Sequence, residues 1–571
     1  MGKIEELKEE YRKSGYEEIC REYSHEECFP AMRDGIRLHT FIFKPKGTGQ
    51  ERFPVILQRS CYPSHAETLE IHGAELSRRG YAFVFQFCRG IEASQGEWVP
   101  NIHERNDGID TVKWLTGQSW VHCIGYWGCS YLAAAGWAMA DAVSGDVTSM
   151  ALTHYGTDRF KSAYEKGMFR QDVLTSWSMD NCGWEVRADY DQVCRYMPQR
   201  EVDTALWGGE VPWYREYVCN TRKEEKYWQQ GWWKQLDEIP KKVRIPLLIV
   251  EGWYDHHLGS ALEAWRKLNP ESKKHSRLII GPWNHGFEVC VQGQRTEEAR
   301  NSEIRMILEW FGQTLKKKEL PVGEVRAYQI GEDRWRSEAF QEAEEKEETV
   351  FYLDFVHRRP ETEGGSFYGK LSLEEEEQEG SASYEFDPEN PVKSWGSESC
   401  LRTWGSIGSL LQQEPGQRED VITLFSDPMS RELRIRGRMQ AELYISSDCE
   451  DTAFTVKVMR VTPEGQAYNI RSSIASVSHG STQGEAYIPG TCTKIQIDMW
   501  DVCYTIKKGE RLRVDLSSSN YPEYHIHCNY RGTWGEQKRK KKAFQTVYSG
   551  GRTPSSIRME TERLQQDTVT H

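Results

Sequence analysis

The chain contains no apolar run approaching the eighteen or so residues that a membrane span requires, so no spanning helix is expected. It also lacks an excess of positive charge: 73 Lys and Arg stand against 87 Asp and Glu, for a net charge of -14. That balance argues against a nucleic-acid partner and against attraction to an anionic membrane surface. Fifteen cysteines are present, but none forms a C-x-x-C pair. An odd number of widely scattered cysteines excludes the usual zinc spacing and fits reduced thiols better than a disulfide framework. The opening segment, MGKIEELKEEYRKSGYEE, is charged and amphipathic, without the apolar centre of a signal peptide. A cytoplasmic protein is the expectation. No internal repeat is visible.

What is plentiful is tryptophan, at 21 residues. Seven of these (Trp177, Trp184, Trp207, Trp213, Trp228, Trp232 and Trp233) crowd into one stretch, which predicts an aromatic surface for a ligand. The acids gather in runs, Glu342 to Glu348 and Glu374 to Glu377, read as solvated loops. At 571 residues the chain is long enough for several domains, each with its own core.

The first third alternates strands with helical stretches. GIRLHTFIFKP (35–45) alternates apolar and polar residues as a half-buried strand does. PVILQRS, YAFVFQF, VHCIGYW and SMALTHY are short runs apolar on both faces, separated by amphipathic pieces such as ERNDGIDTVKWLTGQ. This is the pattern of a mostly parallel sheet covered by helices. It stops near residue 155, gives way to a polar, aromatic stretch of helical periodicity, and resumes near 241 with IPLLIV and RLIIG. After about residue 349 many short alternating strands bounded by turn residues imply a sandwich, most simply a jelly roll. The reading is an α/β core in two parts (1–154 and 241–348), an inserted helical cap (155–240) over the carboxyl ends of the strands, and an all-β jelly roll (349–571).

Within this frame Ser130 lies where a strand passes into a helix, in GYWGCSYLAAAGW, with Gly128 two residues before it and small residues after. A sharp strand-to-helix turn throws a serine hydroxyl clear of the backbone and needs small neighbours. The fifth position of the G-x-S-x-G pattern is Leu132, so the motif by itself fits a tight structural turn equally well. A base and an acid in the right order add to it. IPLLIV is followed by EGWYDHHLG, with Asp255, and RLIIG by PWNHG, with His285, each in the loop at a strand's carboxyl end. The order Ser, Asp, His is that of α/β-hydrolases. Asp255 could instead cap the helix that follows, and His285 is one of sixteen histidines. The pair His256 and His257 has no matching ligand spacing elsewhere, so no metal is expected. His525 and His527, in YHIHC, read as surface residues.

These stretches together resemble the CocE/NonD hydrolases, the family of cocaine esterases, α-amino-acid ester hydrolases and X-Pro dipeptidyl-peptidases. MRDGIRLHTFIFKP, CRGIEASQGEW, GCSYLA, GWYD and GPWNHG match its signature stretches, as do YEFDPENPV, DTAFTVKV and GERLRVDLSSSNYP further on. The likeness spans most of the chain, and the family also carries Leu at the position of Leu132. It implies Ser130 as nucleophile, His285 as general base and then acid, and Asp255 as the carboxylate that orients the imidazole. It further implies an oxyanion hole from the Tyr131 backbone N–H and the hydroxyl of Tyr62 in RSCYPS, and no metal or organic cofactor.

Pro63, Ser64, Phe87 and Ala133 depart from common family residues and bear on substrate preference. The expected partner is a small ester or amide, or a short peptide, and relatives suggest a homo-oligomer. His257 and the cap tryptophans would shape the acyl pocket. An X-Pro dipeptidyl-peptidase needs a cap carboxylate for the free amine, with Glu165, Glu185 and Asp189 as candidates. An idle scaffold whose jelly roll binds carbohydrate or protein is the alternative of another class.

Overall fold

The computed structural model describes residues 3–337, 346–357, 368–398, 401–481 and 486–562. After an opening helix α1 (Lys3–Lys13) the first sheet is laid down by β1 (Glu22–Cys28), β2 (Thr40–Lys46), β3 (Phe53–Ser60), β4 (Ala82–Phe87), β5 (Val121–Cys129) and β6 (Val147–Thr153). The apolar runs at β3 and β4 are buried along their whole length, because helices cover both faces. Those helices include α2 (Leu69–Arg78), α3 (Glu104–Thr116) and α4 (Tyr131–Met139).

The chain then leaves the sheet. It forms α5 (Arg159–Ala163), a short hairpin of β7 (Tyr164–Glu165) and β8 (Met168–Phe169), and α6 (Gln171–Asn181). The hairpin corrects the expectation of a strandless insertion. α7 (Tyr190–Arg195), α8 (Pro212–Cys219), α9 (Lys226–Gln229) and α10 (Gly231–Glu238) follow before the sheet resumes. β9 (Leu247–Gly252), α11 (Leu258–Lys267), β10 (Arg277–Gly281), β11 (Glu324–Gln329) and β12 (Arg334–Ser337) complete it. The strand order is β1-β2-β4-β3-β5-β6-β9-β10-β11-β12. From β4 to β11 every neighbouring pair is parallel, while β1, β2 and β12 are antiparallel edges. The carboxyl ends of β3, β5, β6, β9 and β10 therefore share one rim.

From Lys346 the described residues form a mainly β domain of eleven strands, the last at Ser556–Glu562, with one short α-helix at Val477–Gly480. Glu347 and Glu348 lie in the first of these strands rather than in a loop, whereas 342–345 of that acidic run fall outside the described residues. The second run, Glu374 to Glu377, is a loop and mostly exposed.

The all-β domain grips the hydrolase rim. Buried Arg471, on strand Ala467–Ser476, donates to the carbonyl of Trp253 and, at 2.7 Å, to that of Asp501. The indole of Trp500 packs so closely on α11 that a Cβ on Gly259 would lie 2.4 Å from it. Further along, Gln292 and Ser409 pair through their backbones at 2.8 Å, beside the loop of His285. His525 and His527 are not surface residues: they are buried, and the His525 ring accepts from the Phe169 N–H at 2.9 Å, joining this domain to the cap.

Candidate active site

Ser130 opens α4 directly after β5, with φ 56° and ψ −125°. A non-glycine residue there is strained, and the strain persists only where packing over-determines it. The cause lies in the close approach of strand and helix: a Cβ on Gly128 would sit 2.3 Å from the Leu132 backbone. The turn is held by the Ser130 N–H donating to the Thr153 carbonyl at 2.9 Å. Its hydroxyl is consequently presented at the rim.

The loops after β9 and β10 supply what meets it. His285 Nε2 lies 2.9 Å from Ser130 Oγ, and His285 Nδ1 lies 2.7 Å from Asp255 Oδ2. Asp255 is fully buried, and its other oxygen accepts the His257 N–H at 2.6 Å. The sequence also allowed Asp255 to be a helix cap; it stands two residues before the cap position of α11, which His257 occupies. Burial alone would raise the Asp255 pKa, but His285 and a hydrogen bond from His154 hold it well below the usual carboxylate range. Residues 130, 255 and 285 thus form one hydrogen-bonded chain.

Two neighbours of this chain carry no sequence motif. His154 follows β6 directly, and its Nδ1 lies 2.6 Å from Asp255 Oδ2. Glu251, near the end of β9, is fully buried, with only the backbone N–H groups of Tyr155 and Gly252 near its carboxyl group. Burial, and then the Asp255 charge, push its pKa well above the usual value, so it stays protonated while Asp255 is ionised. A group raised in the fold contributes stability at low pH that is lost as pH rises through its folded pKa. Glu251→Gln removes that loss. Its melting temperature relative to the parent should therefore climb from pH 5 to pH 9, and a constant difference would mean that Glu251 does not hold a proton.

The rule that selected Asp255 and His285, a polar residue at a strand's carboxyl end, also selects His154. Glu251 shows only as one acid closing an apolar run.

Tyr62 follows β3, and its hydroxyl accepts the Trp177 indole N–H at 3.0 Å, leaving its own hydrogen to give. Burial keeps this phenol protonated by raising its pKa well above the ordinary value. Tyr131 begins α4, where the first N–H groups have no acceptor within the helix. Its phenol is committed elsewhere, donating to Glu104 at 2.5 Å and accepting the Asn101 N–H at 2.7 Å. If the Tyr62 hydroxyl serves as an oxyanion donor, Tyr62→Phe should lower kcat by about 10²- to 10³-fold with KM little changed, measured by steady-state ester hydrolysis. A loss under tenfold removes Tyr62 from that role.

The cap tryptophans divide. Trp207 and Trp228 are buried in the cap's own core, Trp184 is exposed, and Trp177 alone of the seven reaches Tyr62 by a hydrogen bond among the described residues. The Trp177 ring stacks on that of Tyr131 at 5.9 Å and meets Trp98 and Trp213 edge-on. His257 is buried, with its ring 4.5 Å from Tyr155 and its Nδ1 3.0 Å from Ser162 Oγ. Burial and neighbouring His256 hold its pKa well below that of a free histidine. The three acids singled out among the many in the cap are engaged as well, Glu165 with Arg170 at 3.6 Å. Glu165 is buried beside a cavity of about 850 Å³ between the cap and the all-β domain. Glu185 pairs with Arg187 in solvent, and Asp189 caps α7.

The family model for the X-Pro dipeptidyl-peptidase (S15 family) matches residues 34–287, and that for the X-Pro dipeptidyl-peptidase C-terminal non-catalytic domain matches 321–558. A cocaine esterase from a Rhodococcus species is 26% identical over 565 residues, covering 92% of this chain and 96% of its own. Among solved structures, an α-amino acid ester hydrolase superposes with a TM-score of 0.80 at 20% identity, covering 96% of this chain and 98% of its own. An aminopeptidase from a marine sediment archaeon, Thaumarchaeota, gives 0.79 at 21%, covering 95% and 97%. Both solved structures share the α/β-hydrolase fold with its all-β partner domain.

Proposed function

We propose, for a chain that belongs to the CocE/NonD serine hydrolases, the hydrolysis of a small ester or amide through a Ser130–His285–Asp255 triad. Membership makes the chain a serine hydrolase and sets aside the idle scaffold. The observation that carries the triad is the unbroken chain from Ser130 Oγ through both His285 nitrogens to Asp255, on a strained turn that presents the hydroxyl.

The chemistry follows from those contacts. His285 Nε2 takes the Ser130 proton as Oγ bonds to the substrate carbonyl carbon, and the carbonyl π pair moves to oxygen. The oxyanion so formed accepts from Tyr62 and the Tyr131 N–H. As it collapses, the bond to the leaving group breaks, and His285 gives that group its proton. Water then repeats the sequence on the acyl-enzyme: His285 takes a proton from water, oxygen attacks, and Ser130 leaves with the proton returned. Asp255 stays ionised throughout, holding the tautomer with Nδ1–H toward itself.

An X-Pro dipeptidyl-peptidase is the second reading, favoured by the family models' names. Glu165, Glu185 and Asp189 speak for an ester or acyl amide instead. Two are spent at the surface or on a helix end, and the third faces a different cavity. Comparing aryl esters, an Ala-Pro anilide and a β-lactam-type amide decides the matter: the ester should turn over fastest. Faster release from the Ala-Pro anilide, and its loss on blocking the amine, would replace this reading with the peptidase.

A further inference from the structure

We propose that His154 is a positioning residue for the acid of the triad: a second imidazole on Asp255 that fixes which oxygen faces His285 and takes up part of its charge. The inference rests on the triad reading.

The backbone at His154 is turned for this purpose. Its φ is 55°, in the left-handed region that histidine tolerates better than most residues, and its N–H donates to the Val250 carbonyl at 2.8 Å, tying the end of β6 to β9. The imidazole is 1% exposed. It meets the rings of His285 and Phe287 edge-on, at 5.6 Å and 5.4 Å. Its Nε2 is buried without a partner, so the ring's one engaged nitrogen is Nδ1, and a carboxylate can only accept from it. Asp255 Oδ2 therefore receives two imidazole N–H donors, from His154 at 2.6 Å and His285 at 2.7 Å, while Oδ1 receives the His257 N–H.

Two consequences follow. Three donors from three loops leave the carboxylate no freedom to rotate, which holds the tautomer of His285. And because His154 shares Oδ2, His285 faces less negative charge than it would beside a carboxylate of its own. The other ionisable groups around the pair are accounted for. Glu251 on β9 is held protonated, and His256 and His257 on the acid loop are pushed well below their ordinary pKa by burial, so both stay neutral. The thiols of Cys129 on β5 and Cys290 beyond the histidine loop are raised by burial and remain uncharged. Glu303, reached through Thr153, and Arg159 and Arg170 of the cap complete the set.

The test uses three variants, with kcat, KM and the pH dependence of kcat/KM on an aryl ester as readouts. His154→Leu and His154→Gly lack a donor, and glycine also accepts the left-handed backbone if leucine fails to fold. His154→Asn keeps an N–H close to the position of Nδ1 and accepts that backbone too. The donor-free variants should lose about tenfold or more in kcat with KM little altered. Their acid limb should move to higher pH, because Asp255 then no longer shares its charge with a second imidazole. Asparagine should restore both. The proposal is overturned if His154→Gly keeps the parent's acid limb, or if His154→Asn shares its shift. Failure of the triad itself looks different: the parent enzyme would then take no fluorophosphonate on Ser130.

Discussion

Ser130→Ala lowers kcat by about 10⁶-fold and abolishes fluorophosphonate labelling, while the fold stays intact. The size of the loss comes from chemistry that nothing else in the site supplies. Alanine retains the Cβ, so the turn at φ 56° is no more strained than before, and the Ser130 N–H still reaches Thr153. What disappears is the oxygen 2.9 Å from His285 Nε2. On the proposed mechanism, residual turnover then has to come from water activated by His285 in front of the proposed oxyanion donors, which in other triads leaves about 10³- to 10⁴-fold over the uncatalysed rate. Equal melting temperatures and an absent burst of aryl alcohol will establish the point. A variant that still hydrolyses within a hundredfold of the parent would move the nucleophile elsewhere.

Asp255→Asn should cost about 10⁴-fold in kcat. The carboxylate accepts on every side, from the His257 N–H on one oxygen and from two imidazoles on the other. An amide cannot do this. If its oxygen faces the imidazoles, its NH₂ confronts the His257 N–H. If it turns over, its NH₂ confronts His154 and His285, and both rings must move their proton to Nε2, where His285 can no longer accept from Ser130. Either way the base loses its tautomer or its anchor. Measured kcat at neutral pH within tenfold of the parent would mean that Asp255 does not orient His285. Glu251 provides a control, because neutralising Asp255 removes the charge that helps to keep it protonated.

Strand β2 was legible from its alternation and β11 and β12 were not legible at all, while β3 to β6, β9 and β10 were legible because each is a short apolar run closed by turn residues. That run is what a strand buried on both faces must be, as β3, β4 and β9 show. The candidate site was legible in its order, since Ser130, Asp255 and His285 each close a strand. The edge strand β1, EYSHEEC, was not, because it is largely exposed and carries no apolar alternation. The hairpin of β7 and β8 is two residues a side, too short for any period to register. His525 and His527 were misjudged for a related reason: they lie in a loop rather than on a strand face, where His525 meets Phe169 of the cap and His527 meets Asp451 and Asn529 of its own domain, contacts that no local pattern records.

The amino-acid sequence alone determined the class of fold, the alternation of buried runs and turns, and the three side chains brought to the rim, since these depend on neighbours a few positions apart. Tertiary structure alone decided that His154 shares an oxygen of an acid 101 positions away, that Trp177 meets Tyr62, and that Arg471 holds the acid loop from another domain. Such contacts depend on which strands lie side by side and how domains dock, and a periodicity of two or 3.6 residues carries no information about either.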